Sequence, residues 1–275
     1  MKSNVKSKVK SKKSRAVSDA KASANPDGIV VRFCDGLAEF EGCIEVERAV
    51  WKAEDIDLVP MPLFVVAART GGQVIGAFDG PRMVGFTMAI AGWRGGKPLL
   101  HSHMTATLDG YRDRGIGRRL KLFQRTDALA RGISLVEWTF DPLMIKNAYF
   151  NLMRLGAIAR NYLPNAYGIT TSALHAGLPT DRFVAEWHLR SPRVKRVLAG
   201  KAPVPAFTKK ARRISIPANL HQLATSNPAE AAQRQSGIRG EFAALLSKGY
   251  AAVAIEQTPS GADYVLEPYG AKGAK

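Results

Sequence analysis

The stretch that most limits how this chain can fold reads Thr105-Ala106-Thr107-Leu108-Asp109-Gly110-Tyr111-Arg112-Asp113-Arg114-Gly115-Ile116-Gly117-Arg118-Arg119-Leu120. A β-rich run ends near Leu108, a tight turn follows, and a helical pattern begins near Gly115. The first N–H groups of a helix have no intrahelical acceptor, and the helix dipole places positive charge there, so a strand-turn-helix start is an anion site. Gly115 and Gly117 lack a Cβ, which lets a bulky diphosphate approach the backbone. Arg112, Arg114, Arg118 and Arg119 add positive charge around it. A Walker loop is excluded because no Gly-Lys-Ser/Thr follows. The dinucleotide fingerprint does not fit either, since its third glycine is missing and Lys121 stands near that place.

The flanking sequence alternates strand and helix patterns. Ile29–Phe33 is a short β-branched run, and Leu37–Trp51 carries apolar residues at helical spacing. Pro60 and Pro62 break the chain before Leu63–Ala68, a short helix or strand. Gln73–Phe78 and Met83–Ile90 surround Asp79-Gly80-Pro81-Arg82, which is a hairpin signal. Leu99–Leu108 is the next strand, Arg118–Arg131 a helix, Leu135–Phe140 a strand, Lys146–Leu155 a helix closed by Gly156, and Arg182–Leu189 a further strand. Past Ser191-Pro192 the pattern loosens. Lys201–Arg213 is basic and carries prolines, as a linker would, and Ile214–Ile216, Pro228–Lys248, Ala251–Ile255 and Tyr264–Leu266 form a β-α-β-β extension. The expected organisation is a basic disordered tail at 1–27, a catalytic-type domain at 28–190 and a C-terminal α/β extension at 191–275. Whether that extension folds alone or continues the first sheet is left open. The fold class is mixed α/β.

On these residues the chain resembles the GCN5-related N-acetyltransferase (GNAT) superfamily. The family motif Q/R-x-x-G-x-G/A is matched by Arg112-Asp113-Arg114-Gly115-Ile116-Gly117, and the order of elements is similar from Ile29 to about Leu189. The likeness is strongest to a GNAT subgroup of similar length, through His101–Met104, Trp138–Pro142 and Asn151–Gly156. The resemblance implies a mostly antiparallel central sheet with helices on both faces and with splayed fourth and fifth strands, the coenzyme lying in the opening. It implies acetyl-CoA or another acyl-CoA as co-substrate. Arg112, Arg114, Gly115, Ile116, Gly117 and Arg118 would hold the pyrophosphate, Thr105, Ala106 and Thr107 the pantetheine backbone, and Asn147 or Asn151 its amides. Family helices of this kind often carry a tyrosine four residues before the closing glycine, as proton donor to the leaving thiolate. That position is Leu152 here. Tyr149 lies one turn earlier on nearly the same face, displaced by about 4.5 Å along the axis.

Acyl transfer to an amine needs a base and donors for the developing oxyanion. Strict alternation would put His101, His103, Thr105 and Thr107 on one face of their strand, with Leu100, Met104 and Leu108 in the core. His103, nearer the loop, is the preferred base, and a hydrogen-bonded structural histidine is its alternative. Glu137, sharing a face with Thr139 and Asp141, is a second candidate, direct or through water. Asp141 before Pro142 reads as a turn or cap residue. No third ligand accompanies His101 and His103, so no metal site is expected. His175, His188 and His221 read as structural or surface residues, and Trp51, Trp93, Trp138 and Trp187 as core or cleft wall.

Charge and composition bound the partners. Of the net +17, much sits before residue 22, where eight basic residues face one acid and no aromatic appears. Such a segment cannot bury enough apolar surface to offset ordering entropy. It reads as a solubilising tail, with nucleic-acid contact as the alternative. No run is long and apolar enough to span a bilayer or act as a secretory signal, and Cys34 and Cys43 are the only cysteines, so a cytoplasmic setting is expected. No cysteine lies in the matched motifs, which favours direct attack in a ternary complex. The expected acceptor is an amino acid or other small amine, and the acyl group acetyl or succinyl. A non-catalytic acyl-CoA-binding module and a modifier of protein or nucleic acid are the alternatives, and a homodimer is compatible with the sequence.

Overall fold

The computed structural model describes residues 27–52, 54–168, 177–204 and 206–270. The basic tail up to residue 26, and His175, lie outside the described residues. Strands β1 (Ile29–Phe33), β2 (Gln73–Asp79), β3 (Arg82–Arg94), β4 (Lys97–Thr107), β5 (Leu135–Phe140), β6 (Ile158–Leu163), β7 (Arg182–His188), β8 (Arg212–Pro217), β9 (Tyr250–Thr258) and β10 (Gly261–Pro268) form one sheet in the order β1-β2-β3-β4-β5-β7-β6-β9-β10-β8. Helices are α1 (Gly36–Trp51), α2 (Met61–Arg69), α3 (Ile116–Ala130), α4 (Ile145–Tyr149), α5 (Pro192–Leu198), α6 (Leu220–Ser226) and α7 (Pro228–Leu246). Among the described residues every strand pair is antiparallel except β4 with β5. That parallel pair is joined only at Leu100–Val136 and His101–Glu137, after which the strands part. The splay implied by the resemblance is therefore present.

Helices α1 and α2 bury Phe40, Cys43, Val46, Phe64 and Ala67 against Phe86, Met88 and Ala106 on one face of the sheet. On the other face α3 packs Ile116 and Leu120 on Ile75, Ala77 and Val84. The last strands are not a separate sheet. β9 joins β6 at Ala159–Ala252, and one apolar cluster runs from Leu100 and Trp138 through Phe183 and Trp187 to Phe242, Tyr264 and Leu266. The rings of Phe183, Phe242 and Tyr264 meet at centroid distances of 4.6, 5.2 and 5.7 Å, so α7 and β10 complete the core that β7 begins.

Four sequence expectations change. β6 was not anticipated, because Arg160 and Asn161 interrupt its apolar run and a bulge between Ala159 and Asn161 breaks its alternation. α5 was also missed, although Ser191 caps it by accepting from the Val194 N–H at 3.2 Å and Pro192 fills its first turn. The short α6 lies ahead of the expected α7. Trp93, expected in core or cleft wall, is 74% exposed at the end of β3.

Truncating Phe242 to Ala should cost about 3–5 kcal/mol. It should lower one unfolding transition that covers β1 to β10, followed by circular dichroism and tryptophan fluorescence. A separate early transition, with the fluorescence of Trp138 and Trp187 unmoved, would mean that the last strands fold on their own.

Candidate active site

β4 delivers the chain to its turn through Leu108, whose N–H donates to Val84 O at 3.0 Å. The turn Asp109–Tyr111 is pinned by Tyr111, whose hydroxyl donates to Asp79 at 2.7 Å. Asp113 then takes φ +60° and Gly115 φ +75°, and α3 begins. No side chain caps this helix start. A Cβ built on Gly115 or Gly117 meets nothing within 4 Å, so both open on free space. Arg112 and Arg114 are exposed there, the first paired with Asp109 at 2.8 Å and the second over the Tyr111 ring at 4.9 Å. Arg118 lines a cavity of about 420 Å³ with Tyr149, Met153, Arg154 and Lys201. Arg119 does not face the loop, because it is held by Asp27 at 3.0 Å and by Ile29 O.

Alternation along β4 fails at one place. Ser102 pairs with Ala89 and Met104 with Met88, so His103 is an extra, bulged residue. The bulge corrects the single-face expectation. His101 and Met104 share the face of Ile90 and Met88, towards α1 and α2, whereas Ser102, Thr105 and Thr107 share the face of Thr87, towards α3. Thr87 confirms it, bonding the Thr105 hydroxyl at 2.8 Å and approaching the Ser102 hydroxyl at 3.5 Å. Ala106 is buried under α1 and α2, and the backbone of this half of β4 borders the opening.

His103 is exposed, with its ring 6.2 Å from that of His101. Although part of the His103 ring meets solvent, the protein packed around the rest of it, and then the neighbouring His101, disfavour the charged form and hold its pKa below the ordinary imidazole value. Glu137 is buried at the last β4–β5 pair, where Arg94 grips its carboxylate at 2.7 and 2.9 Å and His101 stands 3.9 Å away. That ion pair neutralises the carboxylate and fixes its direction, while its buried Oε2 makes no hydrogen bond of good geometry. One strand further, Glu186 is engaged by His188 at 3.0 Å and by Arg160 at 2.5 Å. Burial works against its charge, but these partners outweigh it and hold the carboxyl at about 2. Asp141 accepts from the Leu143 N–H at 2.8 Å, as a turn residue does. Among the described residues no group of three or more His, Cys, Asp or Glu side chains is placed to hold a metal ion.

The helix after β5 also departs from expectation. It is α-helical only to Tyr149, and Phe150–Arg154 forms a π-helical turn. The wider turn separates two positions expected on one face: Tyr149 is 41% exposed, whereas Leu152 is fully buried. Asn147 is exposed, and Asn151 is buried with its Oδ1 accepting from Trp138 Nε1 at 3.2 Å and its Nδ2 donating to Asn147 at 3.3 Å. Asn151 thus fixes Trp138 at the edge of the opening, beside Asn147.

Sequence reasoning passed over Lys121. It is buried on α3 with Gln124 and Ala128, at i, i+3 and i+7, a stripe whose two polar members hide its inward face. Its Nζ donates to Ser102 Oγ at 2.6 Å and to Gln124 Oε1 at 3.3 Å, and sits 4.2 Å from the Trp138 ring centroid. Burial pushes this ammonium down to about 7 from 10.5.

No protein-family model matches the chain, and no curated protein matches it. Among solved structures it is similar to an aminoglycoside 6'-acetyltransferase type Ii, at 19% identity and TM-score 0.47 over 58% of this chain and 97% of that one. It is similar to an N-acyl amino acid synthase from uncultured soil microbes, at 15% identity and TM-score 0.46 over 62% of this chain and 97% of that one. It is similar also to a GNAT family acetyltransferase from Elizabethkingia anophelis with acetyl-CoA bound, at 11% identity and TM-score 0.42 over 59% of this chain and 99% of that one. The mostly antiparallel sheet, the parted β4 and β5 and the glycine turn into α3 are features that the sequence resemblance implies.

Lys121 yields a prediction independent of any ligand. Its folded pKa lies below its unfolded value, so between about pH 7 and 10.5 the unfolded chain binds more protons and stability rises with pH. Lys121→Met should be more stable than the parent at pH 6.5, and the difference should shrink towards pH 10.5, read by urea denaturation at fixed pH. A difference that stays constant with pH would place the ammonium in water.

Proposed function

We propose that this chain is an acyl-CoA-dependent N-acyltransferase acting on a primary amine of small size, such as an amino acid, in a ternary complex. The reading is carried by one juxtaposition: an uncapped, open helix start at Gly115–Gly117 stands at the end of a strand that parts from its neighbour. The main-chain amides of Gly115, Ile116 and Gly117 fit a diphosphate, with Arg112, Arg114 and Arg118 around it. The backbone of Thr105, Ala106 and Thr107 offers its edge to a pantetheine arm, and Asn147 can meet an amide of that arm while Asn151 steadies Trp138. Acyl-CoA supplies the activated thioester carbonyl.

The chain's own residues supply orientation and proton transfer. The bulge leaves the extra residue of β4 without a ladder partner, so its N–H can donate to the carbonyl oxygen as charge develops. The acceptor ammonium gives a proton to neutral His103, and the free amine attacks. Glu137, bound to Arg94, shapes the wall beside His101 rather than acting as base. The thiolate takes its proton from water or from exposed Tyr149, because Leu152 has none to give. This reading goes with a cytoplasmic enzyme that has no membrane or nucleic-acid partner. Among the described residues no helix is long and apolar enough to cross a membrane. Leu152 also favours a second reading, an acyl-CoA-binding module without turnover.

Gly117→Arg should abolish acetyl-CoA binding in calorimetry by filling the space over the turn, and unchanged affinity would remove the pyrophosphate site. Mass spectrometry of an amine pool incubated with acetyl-CoA and succinyl-CoA should show one acylated class of amine. Binding with no product in any pool would favour the module. With that acceptor, His103→Ala should lower turnover about 10²–10⁴-fold with little change in acyl-CoA affinity. It should also remove the loss of rate that accompanies His103 protonation below pH 6.5. Equal losses in turnover and affinity would make His103 structural.

A further inference from the structure

The place where β4 and β5 part has a floor, and that floor is charged. Ser102 and Trp138 are the first residues beyond the last paired positions, His101 and Glu137. Lys121 Nζ touches both, at 2.6 Å from Ser102 Oγ and 4.2 Å from the Trp138 ring centroid. The ammonium is therefore wedged under the apex of the opening, on the α3 side. No carboxylate pairs with it among the described residues. Asp127 on the same helix is taken by Gln73 at 2.6 Å and Arg131 at 2.9 Å, and Glu137, on the opposite face, is taken by Arg94. Beside Lys121 the buried amide nitrogen of Gln124 has no hydrogen-bond partner. A buried cation is ordinarily matched by an anion, and here the protein supplies hydroxyl, amide and ring instead.

The direction of the opening says what could supply it. The glycine turn lies past Thr107, and from Thr107 back to Ser102 is five residues of strand, about 17 Å. A coenzyme arm anchored at the turn and lying along β4 would point its acyl end at the apex. We infer that Lys121 selects the acyl group: the preferred donor carries a terminal carboxylate, as in a short dicarboxylic monoacyl thioester of the succinyl kind, and that carboxylate pairs with Lys121 Nζ beside Gln124. The thioester C–S bond still breaks and the amide bond still forms at the other end of the acyl chain, and the carboxylate takes no part. This rests on the acyl-CoA reading and narrows it.

The test is calorimetry on the full chain at pH 6.5 with three ligands: succinyl-CoA, acetyl-CoA and the carboxamide-terminated analogue of succinyl-CoA. Succinyl-CoA should bind about ten- to a hundredfold more tightly than the other two, the worth of a charge-assisted hydrogen bond. Lys121→Met should abolish that preference and leave acetyl-CoA affinity within about twofold, a difference too small to count as a lost contact. Equal binding of the three ligands by the parent chain, or a preference that survives in Lys121→Met, overturns the inference while acetyl-CoA binding keeps the acyl-CoA reading. Binding of none overturns both. Should the variant fail to fold, the parent's carboxylate-to-carboxamide ratio decides alone.

Discussion

A parallel strand pair that stops after two steps governs most of this molecule. Beyond His101 and Glu137 the facing edges of β4 and β5 have backbone donors and acceptors without each other, and such edges are costly unless something occupies them. Each strand is held from behind instead. β4 is fastened along β3, and β5 along β7, so neither can drift across to close the gap. The opening is a consequence of where the other pairings lie, with Lys121, Ser102 and Trp138 filling its base.

The supports on the two sides of the gap differ in kind. On the β5 side they are apolar and continuous, from Trp138 against Trp187 at 6.0 Å to the Phe183, Phe242 and Tyr264 cluster. Arg193 adds to this by donating to Gly156 O at 2.9 Å and Leu152 O at 3.1 Å, tying α5 to the end of the π-helical turn. It also reaches Val253 O in β9. The chain after residue 191 thereby sets the position of the turn that carries Leu152 and Asn151. On the β4 side the supports next to the gap are polar: Thr87, Ser102, Thr105, Lys121 and Gln124. On its α3 face, next to the gap, β4 thus meets hydrogen-bonding groups of fixed direction, whereas β5 meets mainly apolar rings.

Much of this was legible in the sequence where local chemistry is strong. The Asp79-Gly80 turn, the apolar stripe of α1 and the glycines before α3 each act over a few residues, and each produced the element expected. Apart from α5, whose Ser191-Pro192 start is a local signal, the main misses depend on partners distant in the chain. β6 is a strand because β7 and β9 flank it, despite Arg160 and Asn161. The bulge at His103 is fixed by register against Met88 and Ala89, which alternation within β4 cannot reveal. Trp93 is an indole that no described element covers. Lys121 entered the sequence reading only as the residue near the place of a missing third glycine, and the sheet beneath α3 is what makes it an interior charge. The glycine turn was read correctly because main-chain geometry needs no distant partner.

The bulge in β4 also sets one residue of this strand outside the count of the ladder. Upstream of His103 the side chains keep one phase, with His101 towards α1 and α2, and downstream they keep the opposite one, with Thr105 towards α3. Removing His103 would therefore rotate neither half, because Ser102 would stay against Ala89 and Met104 against Met88 in plain alternation. Leu100, Met104 and Ala106 would keep their places, and only the extra residue, with its unladdered N–H and its imidazole, would be gone. The ladder tolerates that residue without requiring it, so its place in the strand answers to the opening and not to the sheet.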